Sequence, residues 1–142
     1  VAYANWHPTV ASYASRTMFM SGLIIAAFIV YHLLHFTVKA PVNFTGQDFN
    51  QMTYTLGGEP VHDVYGMMIT GFQQPMVAVF YLVAMALLCL HLSHGLSAMF
   101  QSLGLKNKVY SPVIDKAAMV LSAAIFVGYA SIPMAVLVGI LK

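Results

Sequence analysis

Charged and apolar positions in this 142-residue chain fall into separate blocks rather than alternating. Residues 17–38, 64–105 and 117–141 contain no Asp, Glu, Lys or Arg. Each block is longer than the roughly 20 apolar residues a helix needs to cross a hydrocarbon core of about 30 Å. The middle block is too long for one span and is divided by Pro75. Its first part, 64–74, is too short to span and reads as an interfacial helix. Pro75 suits the first turn of the helix that follows. The pattern therefore predicts three spanning helices at about 17–38, 76–104 and 117–141, plus the interfacial helix at about 64–74. Residues 39–63, rich in Gly, Pro, Asn and Thr, are expected to form a loop, as are 1–16 with His7. The predicted fold class is an all-α, multi-pass transmembrane helix bundle forming a single membrane domain.

Composition agrees: 60% of residues are hydrophobic, 7% are charged, and mean hydropathy is +0.79. Soluble domains carry about 25% charged residues. The few charges suggest an orientation. The connector 105–116 holds Lys106, Lys108 and Lys116 against Asp115, whereas 39–63 holds Lys39 against Asp48, Glu59 and Asp63. The excess of lysine places the connector in the cytoplasm and 39–63 on the far side, with Arg16 at the cytoplasmic end of the first span. Six basic residues scattered along the chain give no footprint for nucleic acid. Cys89, the only cysteine, lies mid-span and reads as a small core residue. In the last span Ala124, Gly128, Ser131, Ala135 and Gly139 form a stripe of small side chains suited to close helix packing. Pro133 is expected to bend that helix. Three helices make a thin core for a cofactor, which usually sits among at least four. The chain also begins with Val and lacks a signal-peptide n-region, so an N-terminally truncated fragment is expected.

Candidate chemistry resides in histidine. His32 and His35 lie in "YHLLHFT", and His91 and His94 in "LHLSHG". Each pair is spaced i, i+3 and is expected to share one helix face. Ionisable residues within spans are rare enough to default to a functional reading. Three readings compete. Imidazole is a usual ligand of haem iron in helix bundles; a His/Met set suits soft metal ions; histidine also serves proton relays. The ten methionines form no Met-x-x-Met ladder in a loop, and the charge-free blocks contain no carboxylate. Haem therefore leads. At 1.5 Å per residue, His94 falls about 10–15 Å nearer the cytoplasm than His32. Axial nitrogens on one iron stand only about 4 Å apart, twice a metal–imidazole bond. Two haems at two depths are expected, each needing a second histidine from outside this chain.

The stretches "SRTMFMSGLIIAAFIVYHLLHFT", "DVYGMMITGFQQP", "HLSHGLSAMFQSLG" and "SIPMAVLVGILK" resemble the bacterial cytochrome b membrane-anchor subunit of succinate dehydrogenase and fumarate reductase. The likeness is to its single-polypeptide, two-haem branch and covers essentially the whole chain. It implies a five-helix fold of which these are the last three helices. It further implies two b haems, with His32 and His94 as axial ligands and the other two ligands on the first two helices. His35 and His91 are second-choice ligands or neighbours of the ligands. Gly95 would leave room for the macrocycle, and Arg16 could pair with a haem propionate. His62, beside Asp63, would be an interfacial loop residue near a quinone at most; the quinone-site residues stay unassigned.

The implied role is that of a non-catalytic subunit in the cytoplasmic membrane. It would pass electrons between an iron–sulfur subunit, itself joined to a flavoprotein, and membrane quinone. The cytochrome b anchor of another quinone-linked dehydrogenase or hydrogenase is the nearest alternative. A His/Met metal permease is the alternative from a different class.

Overall fold

The structure is a computed structural model that describes residues 13–42 and 44–142, with side chains from Met18 onward. His7 and the side chain of Arg16 lie outside the described residues. Four α-helices account for most of the chain: α1 (Tyr13–His32), α2 (Val64–Phe72), α3 (Pro75–Ser102) and α4 (Ser111–Leu137). Within them Met18–Thr37, Pro75–Ser102 and Ser111–Leu137 are long and apolar enough to cross a membrane. The three spans and the short helix that the charge-free blocks predict are all present.

Local chemistry sets the helix ends. Pro75 stands in the first turn of α3, where its missing N–H has no helical partner to lose. Gly104, at φ 72, closes α3: its N–H donates to Gln101 O, and Leu105 N–H donates to Phe100 O. Gly139, at φ 76, closes α4 in the same way, through Val136 O and Ala135 O. This paired bond set needs a left-handed residue just past the helix, which glycine adopts without strain. Gly139 is thus a terminator rather than the last member of a packing stripe. At the other end, Ser111–Pro112 opens α4 six residues ahead of the expected 117, because proline favours a first helical turn. Asp63 caps α2 by accepting from Gly66 N–H at 2.8 Å. A Cβ on Gly66 would collide with that carboxylate.

Helix α3 is central and touches α1, α2 and α4. The buried core gathers at one end of the bundle, where Phe28, Ile69, Phe72, Val77, Ala78, Tyr81, Ala84 and Val136 meet. This is called the hairpin end; the opposite one, where 105–110 joins α3 to α4, is the connector end. There Lys106 Nζ bonds both Asp115 Oδ1 (2.7 Å) and Ser97 Oγ (2.6 Å), tying the helix corner together. Helix α4 meets its neighbours through Ala118, Ser122, Ala130, Pro133 and Val136. Ala124, Gly128 and Ser131 face outward instead, and a Cβ on Gly128 would meet nothing within 4 Å. This part of the small-residue stripe therefore has no packing partner among the described residues.

Residues 39–63 are more ordered than the expected loop. A 3-10 turn, Phe49–Gln51, leads into strands β1 (Thr53–Leu56) and β2 (Glu59–His62). They pair antiparallel, with Leu56 opposite Glu59 and Thr53 opposite His62. Gly57 (φ 62) and Gly58 (φ 91) form the two-residue turn, whose positive φ at both positions matches the twist of a hairpin. Pro60 stands opposite Thr55, one pair beyond the hydrogen-bonded pair that flanks the turn, so the ladder loses no bond.

Asp48 opens the 3-10 turn by accepting from Asn50 N–H at 2.9 Å. That backbone bond, with side-chain bonds from Asn50 and Gln51, holds the exposed carboxyl below its usual range. A lowered folded pKa gives a contribution present above the unfolded pKa and lost as pH falls through the folded one. Protection of the Asn50 amide from hydrogen exchange should accordingly drop on acidification and be indifferent to alkaline pH.

Phe49 is 0% exposed and stacks on His35 (5.6 Å, 26°) and Phe36 (6.2 Å, 11°). Truncating it leaves a cavity beneath the hairpin. Phe49→Ala is expected to lower stability by about 3 kcal/mol, read as an earlier unfolding transition in mild detergent.

Candidate functional site

The four intramembrane histidines occupy distinct environments. At the end of α1 the helix widens into a π-helical turn, Leu33–Thr37, in which Val38 N–H donates to Leu33 O at 2.7 Å. Each residue in such a wider turn advances less around the axis, so His32 and His35 splay apart. Turns of this kind recur at functional sites.

His35 is fully buried. Its ring lies against Phe36 (4.0 Å), Tyr31 (5.4 Å) and Phe49 (5.6 Å), and its Nδ1 meets the Tyr81 hydroxyl at 3.0 Å. A Cβ on Gly71 of α2 would touch its Cε1 at 3.4 Å. Nε2 is buried with no hydrogen-bond partner among the described residues. Rings and backbone thus enclose His35, leaving no space for a further planar group.

His32 is exposed instead. Phe28 (6.2 Å), Phe36 (6.0 Å) and Tyr81 (5.9 Å) surround its ring, and neither of its nitrogens makes a hydrogen bond among the described residues. It borders an open-sided cleft of about 580 Å³, within the size range of cofactor sites. All four helices contribute walls: Phe28 and Phe36 from α1 and the turn that follows it, Met67, Met68 and Phe72 from α2, Tyr81 and Met85 from α3, and Ile125, Tyr129 and Pro133 from α4. Apart from the tyrosine hydroxyls, the imidazole is the one polar side chain in this lining.

The second pair divides similarly. His91 Nδ1 meets Ser21 Oγ of α1 at 2.8 Å, and a Cβ on Gly22 would touch its ring at 3.6 Å. Gly95, one turn on, faces the same helix, where a Cβ would press on Met18 Cε at 3.2 Å. Gly95 thus leaves room for Met18 beside the α3 backbone. His94 is half-buried, makes no hydrogen bond among the described residues, and lies within electrostatic reach of Asp115. It does not border the cleft. Nor does His62, which ends β2 rather than lying in a loop and whose Nε2 is buried without a partner.

The two open imidazoles stand far apart. His32 is level with Tyr81, and His94 lies 13 residues farther along α3 (81 to 94), about 20 Å at 1.5 Å per residue. Met18, level with Gly95, precedes His32 by 14 residues (18 to 32), again about 20 Å. The separation exceeds the expected 10–15 Å because Met18, at the start of the first span, stands level with Gly95 rather than with the far end of α3, so that His94 lies beside the beginning of that span.

The sequence that builds this bundle of apolar helices has a counterpart among known families. The family model for the succinate dehydrogenase/fumarate reductase transmembrane subunit matches residues 2–132. The chain belongs to this family. No match to a curated protein or to a solved structure accompanies it. Membership makes this a membrane-embedded subunit of a succinate dehydrogenase/fumarate reductase complex, in keeping with its three apolar spans. The motif pairs "YHLLHFT" and "LHLSHG" bring the histidines of this transmembrane subunit into view, but spacing alone does not separate open from engaged rings. The pairing with Tyr81 and Ser21 does.

Removing the Tyr81 hydroxyl would leave both nitrogens of His35 unpaired in the core. Tyr81→Phe is expected to destabilise the bundle by about 1–3 kcal/mol, measured as a shift in detergent unfolding. Ser21→Ala, at a half-buried site, should have a smaller effect.

Proposed function

We propose that this transmembrane subunit carries haem b and conducts electrons between the iron–sulfur subunit of the complex and membrane quinone. The observation that carries the reading is the open imidazole of His32 at the wall of an apolar cleft built by all four helices. A neutral imidazole with a free nitrogen is the ligand haem iron takes in helix bundles. The apolar walls suit a macrocycle and keep water away, which helps to set a redox potential. His94, also free of hydrogen bonds among the described residues, would hold the iron of a second haem, a reading supported by its separation of about 20 Å from His32. Haem bound at these residues supplies one-electron redox chemistry. The chain's own part is to present the two imidazoles, hold them apart and exclude solvent.

His35 and His91 have structural roles in this reading. His35 joins α1 to α3 through Tyr81, and His91 joins α3 to α1 through Ser21. The excess of lysine over acid in 105–116 supports a cytoplasmic connector end in a bacterial membrane. His94, nearer that end, would face the flavoprotein and iron–sulfur subunits, and His32 the far side. Dicarboxylate chemistry belongs to the flavoprotein, so the subunit is not an enzyme by itself.

Reduced-minus-oxidised spectra of membranes containing the assembled complex test the assignment. His32→Ala and His94→Ala should each remove a different component of a b-type α-band, while His91→Ala and His35→Phe retain both components in whatever protein folds. Absence of any b-type band in the wild type would overturn the haem reading. Loss of a component in the His35 or His91 variants alone would overturn the choice of ligands.

A further inference from the structure

The β1–β2 hairpin has no role in presenting the histidines, yet its sequence is more apolar than an idle loop requires. Tyr54 (50% exposed) and Leu56 (62%) lie two residues apart in β1 and so point to the same face. Val61 stands across from Tyr54 on that face. All four residues of β1 are exposed, and among the described residues no third strand is paired to the sheet. A lone two-stranded hairpin is at best marginal in water, so this one needs a surface to lie on.

Its tethers fix where that surface is. Asn50 Nδ2 donates to Lys39 O, just past the end of the first span, at 3.3 Å. Asp63 N–H donates to Met52 O at 2.9 Å, closing the base of the hairpin, while the Asp63 carboxylate caps α2. The base of the hairpin is therefore held beside the end of the first span, the level at which a spanning helix meets the headgroup layer of a bilayer. Val64 (61% exposed) and Tyr65 (52%), in the first turn of α2 just beyond His62 and Asp63, are further exposed apolar side chains at the foot of the hairpin.

We propose that the Tyr54–Leu56 face is a membrane-surface anchor, seated in the headgroup layer of the surrounding bilayer. Tyrosine suits that layer because its ring lies among acyl chains while its hydroxyl stays wet. Attraction to acidic lipid does not drive the contact. Glu59 stands opposite Leu56, and residues 39–63 hold three acids against one lysine. The anchor works by apolar insertion.

Tryptophan fluorescence of the full chain in phosphatidylcholine nanodiscs tests this. Trp6, the only tryptophan, is first replaced by Phe, and a reporter is introduced as Leu56→Trp or, in a second variant, Tyr54→Trp. The proposal expects strong loss of emission with lipids brominated near the headgroup and little loss with aqueous acrylamide. Quenching by acrylamide but not by brominated lipid would overturn it. So would shielding from both quenchers, which would mean that protein rather than lipid covers the face.

Discussion

An imidazole nitrogen shut away from water must find a partner or carry a penalty of roughly 1–3 kcal/mol, and the rest of this structure is arranged around that constraint. Each intramembrane pair divides into one engaged and one open ring. His35 meets Tyr81, and His91 meets Ser21, each across the α1–α3 contact. These two bonds stand at opposite ends of that contact and fix the antiparallel register of the helices. The register in turn sets the depths of His32 and His94. The engaged histidines thus position the open ones.

Much of this architecture is legible in the sequence. Charge-free blocks identify the spans because a charged residue in hydrocarbon is expensive, and Pro75 and Gly104 mark helix ends through backbone geometry alone. The hairpin was also legible: "TYTLGGEPVH" holds a Gly-Gly pair between strand-forming residues, a recognised hairpin signal. An overall polar, Gly-rich composition masks it as loop. The early start of α4 follows from Ser111–Pro112, which reads equally well as a turn until a helix is known to follow.

Other features depend on contacts that one sequence does not record. The π-helical turn that splays His32 from His35 has no sequence marker in "HLLHFT". The Ala124, Gly128 and Ser131 stripe has the spacing of a packing face, but spacing does not say which neighbour uses it, and among the described residues none does. Gly95 illustrates the same limit. A glycine after a histidine is compatible with a nearby cofactor, whereas the contact it permits here is with Met18.

Helix α3 shows why the choice between adjacent histidines needs a structure. Because it packs on α1, α2 and α4 and leaves Met76, Val79, Val83 and Leu90 exposed on the remaining side, where lipid also favours apolar residues, it offers no broad polar face from which to read orientation. His91 and His94 are equivalent by composition and depth; only the direction of α1 distinguishes them, and that direction is set by Ser21, Gly22 and Met18 some 70 residues earlier. The small residues Ser21, Gly22 and Gly95 let the two backbones approach closely enough for His91 to be taken up by α1. That close approach turns His94 away from the α1 seam and leaves it open toward the side of α3 that bears Ser97 and meets Asp115. Which imidazole is left without a hydrogen-bond partner is therefore decided by where two helices can touch, not by the imidazoles themselves.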